Sequence, residues 1–222
     1  MLKSGKRMSP PVLYSLQNCP YAIRARMALL LAKQPVMLRP IDLKNKPKDM
    51  LTASPKGSVP VLVLDKNNVI DESLDIMIWA LQKSDPHNLL LAHDHDMFTD
   101  MMSLINEHDN QFTPLLSQYK QAKRYHKASE NNDRKLCEKF VSGIEQRLNK
   151  HPFILSNQPS LIDYVVLPFL RQFAKVDRQW YLKAPYPKLQ QWLTHHLQSR
   201  LYSKVMVKHP LWLETNEDIL FV

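Results

Sequence analysis

Glycine is scarce in this chain, which has only Gly5, Gly57 and Gly143 in 222 residues. Dinucleotide-binding and phosphate-binding loops need several glycines at close spacing, so the scarcity excludes both kinds of nucleotide site. Cysteine is scarcer still, with Cys19 and Cys137 alone. Two thiols are too few for a disulfide framework or for a cysteine-rich zinc site.

Long apolar runs are also missing. No stretch approaches the roughly 18 consecutive apolar residues that cross a bilayer, so we expect no membrane-spanning segment. The basic start, residues 1–7, is followed by prolines rather than by the apolar region of a signal peptide. We therefore expect a cytoplasmic protein, because a reducing compartment keeps a lone thiol free.

Basic residues outnumber acidic ones in this sequence by 30 to 21. The formal net charge is +9, yet no block of five like charges occurs. A mildly basic, solvated surface explains this excess better than nucleic-acid binding, which we do not expect. The stretch from His93 to Asp96 has no companion cluster of ligating side chains, so we expect no metal site.

Apolar periodicity divides the chain at a polar segment, residues 84–88, which we interpret as a linker. Before this linker, short apolar runs predict strands, and period-3.6 patterns predict helices. The predicted strands are 11–16, 36–42, 59–64 and 69–70, and the predicted helices are 21–33 and 73–83, with a short helix or loop at 44–53. The order β-α-β-(α)-β-β-α indicates an α/β thioredoxin-like domain, which we place at residues 10–84.

After the linker the strand signals stop. Helical patterns cover residues 94–127, 132–150, 164–175 and 187–199, and Pro114 is the expected break in the longest of them. The residues from Ser160 to Asp163 are spaced as a capping box before the third of these helices. We therefore predict an all-helical second domain over residues 92–222.

Cys19 stands between a predicted strand and a predicted helix and is followed by Pro20, which suits a first helical turn. At such a junction the backbone N–H groups and the positive end of the helix dipole stabilise a thiolate. The alternative is a small buried cysteine that fills a gap in the core. The order of strand, Cys-Pro dipeptide and helix favours a reactive thiol.

Five short motifs follow one another along the chain. They are Cys19-Pro20-Tyr21-Ala22, Leu43 to Pro47, Ser54 to Leu62, Glu72-Ser73 and the Ser160 to Asp163 capping box. Together, in this order and spacing, they resemble the cytosolic glutathione transferases, above all the omega-like, cysteine-containing branch, over nearly the full length of the chain. The resemblance implies a thioredoxin-like domain followed by an all-helical one, with glutathione as co-substrate.

The resemblance also implies which residues bind glutathione, namely Tyr21, Lys46, Val59, Pro60, Glu72 and Ser73. Val59-Pro60 resembles the family's cis-proline turn, where the backbone before the proline pairs with the cysteinyl part of glutathione. Glu72-Ser73 would bind the γ-glutamyl group at a helix start, and Lys46 matches the lysine that contacts the glycyl carboxylate. A plain helix cap at Ser73 and a solvated loop lysine at Lys46 are the alternatives.

Thiol transfer at Cys19 is the chemistry that the resemblance implies. Glutaredoxins have a second cysteine three residues after the first, whereas this chain has Ala22 there. Cys19 can therefore form a mixed disulfide with glutathione but no internal disulfide nearby. One alternative is conjugation of glutathione to an electrophile, with Tyr14 or Ser15 stabilising the glutathione thiolate. Another is a non-catalytic relative that binds a protein partner.

The second substrate, a small disulfide or an electrophile, would bind between the two domains. The resemblance places this pocket against the long helix, where the candidate residues are His108, Phe112, Tyr119, Tyr125 and Trp180. For each of them ordinary core packing is the alternative. The resemblance also implies a homodimer.

Overall fold

The computed structural model describes residues 10–222, in two units. Our expectation that residues 1–7 belong to no signal peptide lies outside the described residues. Residues 10–84 and Val205–Val222 form the first unit, and Asp85–Lys204 forms the second. We expected residues 92–222 to be one helical domain, whereas the structure assigns Val205–Val222 to the first unit.

A mixed sheet forms the centre of the first unit. Its strands are β1 (Val12–Ser15), β2 (Val36–Pro40), β3 (Val61–Val63), β4 (Val69–Ile70) and β5 (Ile219–Phe221). The order across the sheet is β4-β3-β1-β2-β5. β1 and β2 are parallel, whereas β3 runs antiparallel to β1, β4 to β3 and β5 to β2. The sequence predicts the first four strands but not β5.

Three helices belong to the part of the first unit that precedes the linker. They are α1 (Pro20–Leu31), α2 (Lys48–Ala53) and α3 (Ser73–Lys83), and α1 packs against α3. From Ala22 to Leu29 every residue of α1 is buried, as in helices that are covered on all sides. Two of these buried residues, Arg24 and Arg26, are charged, and each therefore needs polar partners within the protein.

In the second unit all regular secondary structure is helical. Its helices are α4 (His95–Glu107), α5 (Thr113–Arg124), α6 (Glu130–Leu148), α7 (Leu161–Val176), α8 (Arg178–Lys183), α9 (Pro187–Leu197) and α10 (Arg200–Val205). The last residue of α10 and the whole of α11 (Trp212–Thr215) belong to the first unit. Within the described residues no helix has the length and apolarity needed to cross a membrane.

The break that Pro114 predicts takes the form of a π-helical turn, His108–Phe112, between α4 and α5. The Thr113 amide donates to the His108 carbonyl oxygen, five residues earlier, instead of the usual four. Pro114 has no N–H and so leaves the carbonyl four residues before it without an α-helical donor. The wider turn lies directly before the proline and turns the His108 ring into the core, where it is fully buried.

The capping box at the start of α7 is confirmed. Ser160 and Asp163 cap each other's backbone amides, and the fully buried Asp163 carboxylate also accepts hydrogen bonds from the Ile154 amide and the Trp192 indole. Burial raises the pKa of Asp163 in spite of these donors. One carboxylate thus joins the start of α7 to the preceding loop and to α9.

Candidate active site

Cys19 is the N-cap residue of α1, with an extended backbone and Pro20 as the first helical residue. Its side chain is half-buried. The thiol donates a long hydrogen bond of 3.8 Å to the Val59 carbonyl oxygen. The structure therefore places the thiol at the positive end of α1 and beside the loop that leads into β3.

Arg26, a buried residue of α1, holds the loop before Cys19 in place. Its guanidinium donates to the Gln17 carbonyl at 2.7 Å, to the Leu16 carbonyl at 3.2 Å and to the Ser15 hydroxyl. The Cys19 amide in turn donates to the Leu16 carbonyl at 3.3 Å. Sequence reasoning missed Arg26, because an arginine on a helix gives no sign of the carbonyls that it will reach.

The two hydroxyls of the conjugation alternative have other partners. Tyr14 is buried and its phenol oxygen accepts a hydrogen bond of 2.8 Å from Arg39. Burial raises the pKa of Tyr14, and the bond to Arg39 opposes this increase only in part. Ser15 is buried as well and accepts from Arg26. Both hydroxyls are therefore engaged within the protein.

The Val59-Pro60 peptide bond is cis, as predicted. Val59 is buried in a cluster with Tyr14, Ile41 and Met50, against which Cys19 also packs. Two residues earlier, Gly57 has a φ of +61°, and a Cβ atom there would lie 3.2 Å from the Lys46 Nζ atom. The Lys46 side chain therefore lies close to Gly57, which belongs to the loop that leads to Val59.

A network of ion pairs, absent from the sequence-based prediction, surrounds the start of α3. Lys56 donates to Asp71 at 2.9 Å and to Glu72 at 2.7 Å, and the Ser54 hydroxyl donates to Asp71 at 2.6 Å. Glu72 is the N-cap residue of α3. The Ser54 hydroxyl and Lys56 hold the pKa of Asp71 below its usual range, so its carboxylate stays charged.

Ser73, the first residue of α3, is buried. The Arg24 guanidinium lies 3.5 Å from its hydroxyl and 5.5 Å from the centre of the Tyr21 ring. Arg24 thereby connects the beginnings of α1 and α3. All the predicted glutathione-site residues lie in the first unit. Cys19 contacts Val59 directly, and Arg24 contacts both Tyr21 and Ser73.

The residues predicted for the second-substrate pocket are not brought together on a surface. His108, Phe112 and Tyr119 are fully buried in the second unit, so their side chains line no pocket that a substrate can enter. Their apolar neighbours include Phe140, Phe169 and Phe173. This corrects the expectation for these three residues, for which core packing is the better explanation.

The other two members of that set, Trp180 and Tyr125, are less buried. Trp180 is half-buried, with the Arg134 guanidinium 4.4 Å from the centre of its ring and Phe173 at its edge. Tyr125 is 62% exposed and follows the end of α5.

Two further sequence features have structural roles in the second unit. Cys137 is buried in α6, and burial raises the pKa of its thiol to about 12. Asp94 is the N-cap residue of α4 and accepts from the Met97 amide at 2.9 Å. Among residues 10–222 no group of three or more histidine, cysteine or acidic side chains is arranged to hold a metal ion.

Family models match both parts of the chain. Residues 13–87 match the glutathione S-transferase N-terminal domain, and residues 127–195 match the glutathione S-transferase C-terminal domain. Among curated proteins, mouse glutathione S-transferase omega-1 is 28% identical over 199 residues, which are 85% of this chain and 80% of the mouse protein. The likeness to an omega-class enzyme therefore extends through both units.

Solved structures show the same fold. Glutathione transferase Omega 3C from Trametes versicolor is 20% identical, with a TM-score of 0.77 and coverage of 92% of both chains. A glutathione transferase family member from Pseudomonas fluorescens, solved with two glutathione molecules bound, is 14% identical with a TM-score of 0.77 and covers 91% of this chain and 95% of its own. Taken with the two domain matches, which span more than half of the chain, these likenesses show that it belongs to the glutathione S-transferase family, as an omega-like enzyme that uses glutathione as its co-substrate.

Proposed function

We propose that this transferase moves glutathione between thiols and that Cys19 is its nucleophile. The observation that supports this most is the position of the Cys19 thiol, half-buried at the N-terminal end of α1 and 3.8 Å from the Val59 carbonyl oxygen. A thiol at a helix N-terminus is suited to react as a thiolate. The substrate class is a disulfide between glutathione and another thiol.

The proposed reaction has two exchanges. The Cys19 thiolate attacks the glutathione sulfur of the mixed disulfide, a Cys19–glutathione disulfide forms, and the other thiol leaves as a thiolate that takes up a proton. The thiolate of a second glutathione then attacks the glutathione sulfur held on Cys19. Oxidised glutathione leaves and the Cys19 thiolate is restored, so electrons and protons balance over the cycle.

The need for a second glutathione follows from the surroundings of Cys19. Ala22 occupies the position of the resolving cysteine of glutaredoxins and is fully buried. Cys137, the other thiol, is buried in α6, where burial raises its pKa to about 12 and so suppresses its thiolate. Neither position offers a thiolate that could close an internal disulfide with Cys19.

The proposed glutathione site lies around this thiol. The Val59 backbone would pair with the cysteinyl part of glutathione, and Lys46 would neutralise its glycyl carboxylate. Glu72 and Ser73, at the start of α3, would bind the γ-glutamyl group, Ser73 through its backbone N–H because its side chain is buried. Pro60 follows Val59 in the loop before β3. Tyr21 is exposed and would border the site. The contacts of Cys19 with Val59 and of Lys46 with Gly57 support this arrangement.

Engagement of the Tyr14 and Ser15 hydroxyls supports thiol transfer over hydroxyl-assisted conjugation. A hydroxyl that stabilises the glutathione thiolate must point its proton at the sulfur. The buried Ser15 oxygen accepts from Arg26, and the Tyr14 oxygen accepts from Arg39. Each O–H could still donate, but both side chains are only 2% exposed, so each would have to become accessible before it could reach a bound thiol.

Two parts of the proposal rest on the family alone. We propose a homodimer and a cytoplasmic location, as is common among the cytosolic glutathione transferases. Light scattering on the purified protein at micromolar concentration measures the first, and a particle with the mass of one chain would contradict it. Fractionation of cells that express the tagged protein measures the second, and recovery outside the cytoplasmic fraction would contradict it.

The proposed activity is tested with the mixed disulfide of glutathione and 2-mercaptoethanol, assayed with wild type, Cys19→Ser and Cys137→Ser. We expect Cys19→Ser to lose at least about a hundredfold in kcat/KM while its thermal midpoint stays near that of wild type. Cys137→Ser is the matched control and should keep its activity. An aryl-halide conjugation assay is run on the same three proteins.

The other outcomes point to specific rivals. Conjugation that survives Cys19→Ser, with disulfide reduction undetected in wild type, would place the chemistry on a hydroxyl such as that of Tyr14 or Ser15. Failure of wild type in both assays, together with no glutathione binding by calorimetry, would favour the non-catalytic, partner-binding alternative and overturn the proposal.

A further inference from the structure

We propose that the C-terminal strap, defined as Val205–Val222, holds the glutathione-binding loops in place through three positioning residues, Asp218, Arg39 and Tyr14. The inference rests on the glutathione site proposed above for the first unit. The strap belongs to the same unit but is separated from it in the chain by all of Asp85–Lys204. The strap therefore lies far along the sequence from the predicted glutathione residues, all of which precede residue 84.

The strap is fixed to the sheet and to the loop before Cys19. Its strand β5 pairs with β2, with Ile219 opposite Leu38. At the other end of the strap, the Gln17 side chain donates to the Met206 carbonyl at 2.8 Å, and the Arg26 Nε atom donates to the Val205 carbonyl at 3.2 Å. Since Arg26 also binds the Leu16 and Gln17 carbonyls, the strap shares its anchor with the loop that precedes the nucleophile.

A second connection runs from Asp218 through Arg39 to Tyr14. The Arg39 Nε and Nη2 atoms donate to the two Asp218 oxygens at 2.6 and 3.1 Å, a bidentate pair. The third Arg39 nitrogen, Nη1, donates to the Tyr14 hydroxyl at 2.8 Å. The ring of Trp212, also in the strap, lies 4.4 Å from the guanidinium and meets Tyr14 edge-on at 6.5 Å. The strap therefore fixes Arg39 on two sides.

Tyr14 lies beneath the loops that would bind glutathione. Its ring belongs to the buried cluster with Ile41, Met50 and Val59, against which Cys19 packs. Ile41 begins the loop that contains Lys46, and Met50 is the buried residue of α2, which follows that loop. The Tyr14 ring thus packs against the start of the loop that contains Lys46 and against Val59, two parts of the proposed glutathione site.

The strap also faces the loop that contains Lys46. A cavity of about 230 Å³ separates them, with Ile41, Asp42 and Asn45 on the loop side and Leu211, Leu213 and Glu214 on the strap side. The loop can therefore move towards the strap only as far as this space allows. Displacement of the strap would release the loop on that side.

The Asp218–Arg39 pair is suited to positioning more than to stability. The Arg39 side chain is 18% exposed and that of Asp218 is 31% exposed, and pairs that reach solvent add little to the free energy of unfolding. The geometry of the pair is nevertheless restrictive, because a bidentate guanidinium has one orientation. Breaking the pair should free Arg39 and Tyr14 to reorient while the fold persists.

The test compares four variants by isothermal calorimetry with reduced glutathione, under conditions that keep Cys19 reduced. We expect Asp218→Asn to weaken glutathione binding about threefold to tenfold, with kcat at saturating glutathione within about twofold of wild type. Asp218→Glu should restore most of the affinity. Glu217→Gln removes the same charge one residue earlier and should bind as wild type. Lys46→Ala shows whether the glutathione site is where we propose.

Tyr14→Phe completes the design as a double-mutant cycle. If Asp218 acts through Tyr14, Asp218→Asn and Tyr14→Phe each weaken binding, and the double variant binds no more weakly than the weaker single one. A lower thermal midpoint with unchanged glutathione affinity in Asp218→Asn would show a role in stability alone and overturn the inference. Unchanged affinity in Lys46→Ala as well would instead show that the proposed glutathione site is wrong.

Discussion

The Cys19 thiol and the Val59 carbonyl oxygen, 40 residues apart in the chain, lie 3.8 Å from each other. The first belongs to the start of α1 and the second to the loop before β3. A peptide that paired with the Val59 backbone as an added strand would bring its own cysteine towards the Cys19 thiol. The contact therefore relates the binding of glutathione to the bond that we propose Cys19 forms with it.

Treatment with oxidised glutathione should add a single glutathione to the native protein, at Cys19. The Cys137 thiol is buried, and burial raises its pKa to about 12, so its thiolate population at pH 8 is negligible. Intact-mass measurement followed by peptide mapping checks this. An adduct on Cys137, or two adducts without unfolding, would contradict the assignment, and Cys19→Ser should take up none.

Gly57→Ala should weaken glutathione binding and lower the free energy of unfolding by about 1 kcal/mol. The φ of +61° is unfavourable for a residue with a Cβ atom, and that atom would lie 3.2 Å from the Lys46 Nζ atom. The Lys46 Nζ atom, which we propose faces the glycyl carboxylate of glutathione, must then shift by a few tenths of an ångström. Urea unfolding and calorimetry with glutathione measure the two effects.

Gly143→Ala is the matched control for that substitution. Gly143 lies within α6, and a Cβ atom there would meet nothing within 4 Å. The change should therefore stabilise the protein by about 0.5–1 kcal/mol and leave glutathione affinity as it is. Equal losses of affinity in both variants would show that the effect at Gly57 is unrelated to Lys46.

Asp163→Ala should lower the free energy of unfolding by about 3–5 kcal/mol. The substitution removes the capping box of α7 and leaves the Ile154 amide and the Trp192 indole buried without their acceptor. Asp94→Ala removes an exposed cap with one bond to Met97 and should cost only about 1 kcal/mol. Similar losses in urea unfolding for the two variants would contradict the buried network.

His196 should make the protein less stable as the pH falls from 6.5 to 4. Burial, and then the charge of His195, lowers the pKa of His196 from 6.5 to about 4. Between these values the unfolded chain binds the proton and the folded one does not, so the free energy of unfolding falls with pH, by at most about 3 kcal/mol. Urea unfolding across this range measures the slope.

The controls for this slope are His196→Phe and His195→Gln. Phenylalanine is aromatic, like Phe153, Tyr164 and Trp192 that surround the His196 ring, and it cannot take up a proton. The slope between pH 6.5 and 4 should therefore decrease in His196→Phe and persist in His195→Gln. An unchanged slope in His196→Phe would assign the pH dependence to another group.

The parts of the fold that could be predicted depend on neighbours in the sequence. The β3–β4 hairpin follows from the turn residues Asp65 to Asn68, where the Asp65 carboxylate accepts from the Asn67 and Asn68 amides. Cys19 could be placed because its strand, its proline and its helix all lie within a few residues. The capping box of α7 is likewise local, with Ser160 and Asp163 three residues apart.

The parts that could not be predicted depend on residues far apart in the sequence. β5 has three residues and exists as a strand because β2 offers it an unpaired edge. The roles of Arg26 and Arg39 depend on carbonyls and carboxylates up to 179 residues away. An aromatic residue such as Phe112 has the same helical spacing whether it lines a pocket or, as here, fills the core.

The place of β5 in the chain affects the order in which the protein can form during synthesis. A ribosome must translate every helix of the second unit before it reaches the strand that completes the sheet of the first. Until then the edge of β2 is exposed, as an unpaired row of amides and carbonyls that could pair with another nascent chain. The first unit, although it is translated first, is thus the last to be finished.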